Sequence, residues 1–348
     1  MNAIFTTPPR PFDVTALFPQ LAPLARTAPR LHPRPGAPTV HDSSVGGLLL
    51  WPAGEPWPYC DEPHDRHAAR VVHSPDDIRL FRHGRAAASE RRRLDPEAPW
   101  WTPEERENWE RIKVGRPWFD GPIPLLPVAQ LYARDVPFPR PPDADLLQVL
   151  WCPFGHEMAH PRTVLFWRSS ATVTDVLDAP PEPPIVQLSY YLPEPCLFSP
   201  EQVTEYPNPG ELDKELQGQL DDMSRWETID PARYNTYADD PGEFYLNSLS
   251  TAPGWKTGGW TRWSTTGPVP RPCPECGTEQ VPLLTIASLE WDGSSKSWIA
   301  EEEPTASAPP PLGAQGGNFT LIDITGGNNL QLHACPASPD HPHIELLQ

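Results

Sequence analysis

Cysteine and histidine residues in the last third of the chain have the spacing of a metal-binding turn. Cys273 and Cys276 are separated by two residues, and a glycine follows directly. Two thiolates at this spacing can face one ion, and the glycine permits a tight backbone turn. Cys335 is a third candidate ligand, with either His341 or His343 as the fourth. Three cysteines and one histidine would make a closed tetrahedral site, which is typical of structural zinc.

A second set of cysteines and histidines lies in the first half of the chain. Cys60 is followed by His64, and Cys152 is followed by His156, each after three intervening residues. Each pair can supply one thiolate and one imidazole to a shared ion. We therefore predict a second structural zinc site with two cysteines and two histidines. Cys196 is left over, and we expect it to be a buried thiol rather than a nucleophile.

The two sets fall at corresponding places in an internal repeat. The matching segments, in the same order in both halves, are Gly46–Gly47 and Gly258–Gly259, Trp51 and Trp263, Pro124–Leu126 and Pro282–Leu284, and Leu147–Pro153 and Leu330–Pro336. A cysteine follows the tryptophan in each half, and another stands near the end of the last segment. This order predicts an internal duplication with one zinc ion per repeat.

A different zinc chemistry is suggested by the sequence His-Glu-Met-Ala-His, which runs from His156 to His160 and matches a metalloprotease motif. That chemistry needs a helix, so that both histidines share one face and Glu157 acts as the base on zinc-bound water. Proline and glycine precede the motif and Pro161 follows it, which disfavours a helix. We expect His156 to belong with Cys60, and His160 to be exposed. No phosphate loop, dinucleotide fingerprint or serine elbow is present in the sequence.

The composition indicates a folded protein that does not bind nucleic acid. Of 348 residues, 51 are proline, yet the 14 tryptophans and 11 phenylalanines are too many for a disordered chain. The net charge is −19, whereas phosphate binding needs clustered lysine and arginine. The basic run from Arg85 to Arg93 is interpreted as a solvated loop or helix face. An acidic surface instead favours a basic partner.

The sequence also predicts the compartment. No run of 18 apolar residues exists, so no membrane span is expected. The first residues lack the charged start and apolar core of a signal peptide. We therefore expect a cytoplasmic protein with reduced cysteines, in which metal ligation is the leading shared role of the thiols.

The fold is predicted to be α+β: a β-rich, internally duplicated fold with short helices and Pro-rich loops. Apolar runs predict strands at 125–131, 146–151, 163–167 and 185–192. A capping box at Thr102, with Glu105 three residues on, predicts a helix, and further helices are expected from Ser199 and Gly210.

Four domain segments are expected along the chain. Residues 1–40 form a Pro-rich N-terminal arm, and 41–192 form the first repeat, with a charged insertion at 65–121. Residues 193–253 form a helical connector, and 254–348 form the second repeat with the Cys-x-x-Cys site.

These features resemble two protein families. The Gly-Gly and tryptophan opening, the apolar runs Leu125–Gln130 and Leu283–Ser288, and the closing Cys-Pro resemble the YwqG-like bacterial family of unknown function. The second repeat is also similar to the Gly-Gly, Cys-x-x-Cys and late-cysteine pattern of the programmed cell death protein 2 family. The first resemblance implies a β-rich duplicated fold linked to toxin-immunity loci. The second implies a zinc-dependent chaperone of a ribosomal protein.

Both resemblances imply a protein that works by binding another protein. The sequence therefore predicts a non-catalytic, zinc-stabilised binding protein of the immunity or chaperone type, with a partner that carries a basic surface. The alternative is a zinc hydrolase that uses His156, Glu157 and His160. The sequence leaves the oligomeric state open.

Overall fold

Two six-stranded antiparallel sheets and one small sheet form the β-structure of the part of the chain that the structure describes. The computed structural model describes residues 4–156, 160–226, 240–303 and 317–348. The first sheet has the order β2 (Arg34–Pro35), β9 (Cys196–Leu197), β3 (Ser44–Val45), β6 (Leu126–Tyr132), β7 (Leu146–Gly155), β8 (Pro161–Arg168). The second has the order β10 (Glu201–Glu205), β1 (Arg26–Arg30), β11 (Lys256–Thr257), β12 (Val281–Ala287), β13 (Asn329–Ala334), β14 (Ile344–Leu347). The small sheet pairs β4 (Tyr59–Cys60) with β5 (Ile123–Pro124).

The helices are short, apart from α2. The α-helices of the described residues are α1 (Val14–Leu17), α2 (Pro75–Leu94), α3 (Pro103–Val114), α4 (Lys214–Asp221), α5 (Met223–Trp226) and α6 (Pro241–Phe244), which continues into the π-helix Tyr245–Ser250. Short 3-10 helices cover Pro19–Leu24, Ser170–Thr172, Ser189–Tyr191, Pro209–Glu211 and Lys296–Trp298. Helices together with antiparallel sheets confirm the predicted α+β class. No helix in the described ranges is both long and apolar enough to cross a bilayer.

The two large sheets share one hydrophobic core. Val128 and Val149 of the first sheet belong to the same buried cluster as Ile286 and Leu332 of the second. Leu150, Cys152 and Phe154 of β7 belong to a separate buried cluster on the outer side of the first sheet, so β7 is buried on both faces. Side chains alternate along a strand, so Cys152 points to that outer side, away from the shared core.

The two sheets are built in a similar way around the two Gly-Gly pairs. Each pair directly follows a two-residue strand, β3 or β11, and that strand pairs with β6 or β12. β6 and β12 each shift register once, between their second and fourth residues. Gly46 and Gly258 have φ angles of 62° and 59°, a region that strains other residues. These correspondences lie where the predicted repeat places them, while the duplication itself stays a prediction.

The segment predicted as an N-terminal arm, residues 1–40, contributes strands to both sheets. β1 pairs with β10 and β11 in the second sheet, and β2 pairs with β9 in the first. His32 lies in the crossover between β1 and β2, and its Nε2 is 2.7 Å from Glu201 Oε1. This segment therefore connects the two sheets. The predicted domain boundaries stay predictions.

Several predicted elements are confirmed. α3 begins after Thr102, whose Oγ1 accepts a hydrogen bond of 3.2 Å from Glu105 N–H. In return Glu105 Oε2 accepts one of 2.8 Å from Thr102 N–H. The strands predicted at 125–131, 146–151 and 163–167 are observed as β6, β7 and β8.

Two predicted elements are wrong. The helix expected from Ser199 is absent, because Glu201–Glu205 forms β10, which pairs with β1 along its whole length. Glu205 at its end is buried against Lys256, with Oε1 2.6 Å from Nζ. Long-range pairing thus overrides the local capping signal. The strand expected at 185–192 is reduced to one isolated bridge at Val186 and a 3-10 helix.

The long helix α2 within the charged insertion is a further difference from the sequence prediction. Ser74 caps it by accepting a hydrogen bond of 3.3 Å from Asp77 N–H, and Pro75 occupies its first turn. This cap signal is visible in the sequence and could have identified the helix. The basic run Arg85–Arg93 lies on α2, in agreement with its interpretation as a helix face.

Candidate metal centres

Four side chains from two parts of the chain meet beside β7. We call Cys60, His64, Cys152 and His156 the first cluster, and their ligand atoms all lie within 4.8 Å of one another. Cys60 Sγ is 3.6 Å from His156 Nε2, and His64 Nε2 is 3.2 Å from Cys152 Sγ. Together these groups could hold a metal ion.

The outer face of β7 provides one half of the first cluster. Cys152 and Phe154 both contribute to the outer hydrophobic cluster. His156 follows two residues later, directly after the strand, and remains within reach of Cys152. The ring of His64 packs against Phe154, with centroids 4.4 Å apart. Apolar packing therefore positions the His64 imidazole next to the strand that carries the Cys152 thiol, and chain continuity places His156 there.

The small sheet positions Cys60. This residue ends β4 and lies opposite Ile123 in β5. The Trp57 indole N–H donates a hydrogen bond of 3.0 Å to the backbone oxygen of Leu125. The loop before Cys60 is thereby attached to the chain that leads into β6, and Cys60 is brought over the outer face of the first sheet.

The two thiols of the first cluster differ in acidity. Hydrogen bonding with Cys152, together with contacts to His156 and His64, lowers the pKa of Cys60 to about 3 against the opposing effect of burial. The hydrogen bond with Cys60, together with burial, raises the pKa of Cys152. One thiolate therefore forms readily in this cluster, and a bound cation would favour the second.

Glu62 supports the first cluster from outside. Its Oε2 lies 3.0 Å from His156 Nδ1, the ring nitrogen that does not face Cys60, and it forms an ion pair with Arg162. A carboxylate on the second nitrogen fixes the tautomer and orientation of a metal-binding histidine. The sequence motifs did not identify Glu62. Its position in the segment Cys-Asp-Glu-Pro-His was the available signal.

The second cluster consists of Cys273, Cys276, Cys335 and His341, whose ligand atoms also lie within 4.8 Å of one another. His341 Nδ1 is 3.5 Å from Cys273 Sγ and 3.4 Å from Cys335 Sγ. The Sγ atoms of Cys276 and Cys335 are 3.6 Å apart, and all cysteines of the chain are free thiols. This group could likewise hold a metal ion.

A tight turn presents the two cysteines of the Cys-x-x-Cys sequence. Cys273 N–H donates to Thr278 O, and Gly277 N–H donates to Cys273 O, both at 2.8 Å. Gly277 has a φ of 71°, which glycine adopts without strain. The Thr278 hydroxyl, 3.3 Å from Cys276 Sγ, lowers the pKa of Cys276 to about 6 by hydrogen bonding. The turn thus favours the thiolate that a metal needs.

The structure separates the two histidines of the His-Glu-x-x-His sequence. His156 joins the first cluster after β7, whereas His160 directly precedes the antiparallel strand β8. The prediction that His160 is exposed is wrong. It is buried, and its Nδ1 lies 3.0 Å from Pro161 O and 3.5 Å from Glu345 Oε2. The reason is that β8 packs against the start of β14 at this point. Glu157 lies outside the described residues.

The structure also separates the remaining candidate ligands. His341 belongs to the second cluster, whereas His343 Nε2 lies 2.7 Å from Thr163 Oγ1.

Cys196 is buried as expected, and its thiol donates to Phe319 O at 3.4 Å. Burial raises the pKa of Cys196, so this thiol is not activated for nucleophilic attack.

No protein-family model matches the chain, and no curated protein sequence matches it significantly. The resemblance to the YwqG-like and programmed cell death protein 2 families therefore stays a prediction from motifs. The two clusters are the features from which a function is inferred.

Proposed function

We propose that this protein binds two structural zinc ions and acts by binding another protein. The observation that carries the proposal is the closed composition of both clusters. Each contains four cysteine and histidine side chains whose ligand atoms all lie within 4.8 Å of one another. Catalytic zinc sites keep one position for water or substrate, whereas four protein ligands leave none.

The distances in both clusters suit zinc. Zinc–sulfur bonds of about 2.3 Å and zinc–nitrogen bonds of about 2.0–2.1 Å place the ligand atoms of a tetrahedron roughly 3.4–3.8 Å apart. Five sulfur–nitrogen and sulfur–sulfur separations in the two clusters run from 3.2 to 3.6 Å, and the other ligand atoms lie within 4.8 Å of one another. Thiolate and imidazole ligands in this number favour zinc over magnesium or calcium, which take oxygen ligands.

The position of the ligands along the chain supports a structural role. In each cluster, two ligands come from one segment and two from a segment far away in sequence, 88 residues for His64 and Cys152 and 68 for Cys273 and His341. An ion at each site would cross-link these segments. The free energy of metal binding then contributes directly to folding, because no preformed site exists in the unfolded chain.

A binding role follows from charge and from the two resemblances. The net charge of −19 favours a partner with a basic surface or a basic disordered segment. Both families that the motifs resemble are associated with protein binding, of the immunity type in one case and the chaperone type in the other. Six free cysteines are typical of a reducing compartment, so we place the protein in the cytoplasm.

The alternative zinc hydrolase is less well supported. It requires His156 and His160 on one ion, with Glu157 as the base. His156 Nε2 instead faces Cys60, while His160 Nδ1 lies against Pro161 O. An open site on these histidines would need a different arrangement of the chain.

Metal analysis tests the zinc part of the proposal. Protein purified without chelator should carry about two zinc ions per chain, and cobalt substitution should give the absorption of tetrahedral thiolate coordination at both sites. Protein that carries no zinc would contradict the proposal. Protein that carries one zinc ion per chain would show that one of the two clusters does not bind zinc. Peptidase activity that Glu157→Gln abolishes would establish the hydrolase instead.

Co-purification tests the binding part. A tagged chain isolated from native lysate should retain a protein with a basic surface or segment, which is then produced separately for binding kinetics at two salt concentrations. Higher salt should slow association more than it speeds dissociation, because screening shortens the range of the acidic surface's field to about 3 Å at 1 M. Turnover of a small substrate, with no protein partner recovered, would show that the protein is an enzyme.

A further inference from the structure

Within the described residues, β8 is an edge strand whose outer side pairs with no other strand. It lies at the end of the first sheet, beside β7. In an antiparallel pair, the backbone groups of alternate residues point away from the partner strand. Thr163 shows which residues these are, because its N–H points outward and donates to Glu345 Oε1 at 2.5 Å. Leu165 and Trp167 follow the same alternation and present their N–H and C=O groups outward.

These outward groups lack partners within the described residues. No backbone or side-chain hydrogen bond reaches the outward N–H or C=O groups of Leu165 and Trp167. Unpaired backbone groups on an edge strand are a template for pairing with another extended chain. Near the start of β8, Thr163 already forms hydrogen bonds with the side chains of His343 and Glu345. No further strand can pair with β8 at that residue.

A groove of about 500 Å³ runs along this edge. One wall is Arg162–Trp167, and the other is formed by Ala334, Cys335 and Ser338–His343. The second wall carries Cys335 and His341, two members of the second cluster. The groove therefore lies between an open strand edge and the loop that the second zinc ion would hold.

We propose that this groove binds an extended segment of a protein partner, which adds as a strand to β8. The inference rests on the proposed function and names the kind of segment that is bound. Neighbouring strands in a sheet lie about 4.8 Å apart, so an added strand would lie directly beside β8, where Arg162–Trp167 line the groove. An incoming chain would satisfy the outward groups of Leu165 and Trp167 with backbone hydrogen bonds.

The surroundings of β8 indicate the side chains of the segment. Leu165 and Trp167 pack against the shared core, whereas Val164 and Phe166 pack against the outer cluster. A strand added beside them would continue both apolar layers. The segment should therefore be rich in β-branched or aromatic residues over about four positions, or roughly 13 Å.

A peptide selection tests the proposal. The probe is a phage-displayed library of random linear peptides, selected on the zinc-loaded full chain, and the enriched peptides are then synthesised. Leu165→Pro removes one outward N–H without removing a bond to β7, so it should weaken peptide binding about tenfold or more. Leu165→Val keeps the N–H and is the matched control. The melting temperatures of both variants establish that they are folded.

A second measurement leaves the protein unchanged. Methylation of single backbone nitrogens in the peptide should abolish binding at alternate positions only, because every second N–H of an added strand points to β8. Lack of enriched peptides, lack of this period of two, or unchanged binding to Leu165→Pro would each overturn the inference. The inference would also be overturned if the wild-type protein forms a dimer and Leu165→Pro dissociates that dimer. In that case the edge of β8 pairs with a second copy of the chain.

The experiments distinguish failure of strand addition at β8 from failure of the proposed binding function. If a natural partner still binds Leu165→Pro with full affinity, the protein is a binding protein but β8 is not the site. If no partner exists and a substrate is turned over, the proposed function itself fails.

Discussion

The two clusters differ in how the surrounding structure holds their ligands. Cys60 and Cys152 of the first cluster are members of a buried hydrophobic cluster that also contains Trp51 and Trp57. None of the hydrophobic clusters among the described residues contains a cysteine of the second cluster, and Cys276 is exposed. We therefore expect packing to place Cys60 and Cys152. Cys273 and Cys335 are buried but lie outside these clusters, so we expect the second set of ligands to depend more on a short turn and on the ion.

This difference has a consequence for stability without metal. The first cluster should stay close to its present geometry when zinc is removed, because the apolar contacts around it remain. The residues between Cys335 and His341 are exposed or only partly buried, so this loop should lose its order when the ion is removed. A zinc ion would thus add stability to a region that is already packed at the first cluster, whereas at the second cluster it would hold a loop in place.

The largest effect is expected from Cys273→Ser. Loss of this thiolate should reduce zinc from about two ions per chain to one and destabilise the protein by about 4 kcal/mol or more, because the second cluster relies on the ion for its structure. Elemental analysis and urea unfolding measure both quantities. Cys196→Ser, which alters a buried thiol outside both clusters, should retain both ions. Equal zinc loss in the two variants would contradict the assignment.

A smaller effect is expected from His156→Ala. This change should also remove one zinc ion but should lower the free energy of unfolding by only roughly 2–3 kcal/mol, because packing around Cys152 persists. Glu157→Gln is the matched control and should leave zinc content and melting temperature nearly unchanged. If His156→Ala destabilises the protein more than Cys273→Ser does, the comparison between the clusters is wrong.

The smallest effect is expected from Glu62→Gln. The substitution removes the charge that faces His156 Nδ1, so zinc affinity at the first cluster should fall about 10- to 100-fold while the fold persists. Competition with a chromophoric chelator measures the two affinities separately. Glu275→Gln makes the same charge change within the second cluster's turn, at a side chain without a hydrogen bond or ion pair in the described structure. A loss of affinity for that variant as large as for Glu62→Gln would refute the role of Glu62.

Much of the candidate site was predictable because the spacing of cysteine and histidine is a local property. Cys-x-x-Cys with a following glycine indicates a ligand turn wherever it lies in the fold, and the repeat identified Cys60 and Cys152 as the counterparts of Cys273 and Cys335. The α3 capping box and the apolar strands β6 to β8 are also local signals, since they depend on neighbours a few residues away. The structure brings together all eight predicted side chains in two groups, while metal binding itself remains to be measured.

The sequence by itself determined the α+β class, the acidic charge and the two sets of candidate ligands, because composition and short spacings encode them. Only the tertiary structure decided between His341 and His343, assigned His160 to the β8 and β14 contact, and turned the segment after Ser199 into a strand. It alone brought Glu62 to His156 and, within the described residues, left the outward backbone groups of Leu165 and Trp167 without partners beside the second cluster. These outcomes depend on contacts between residues far apart in the chain, and such contacts form only when whole sheets pack together.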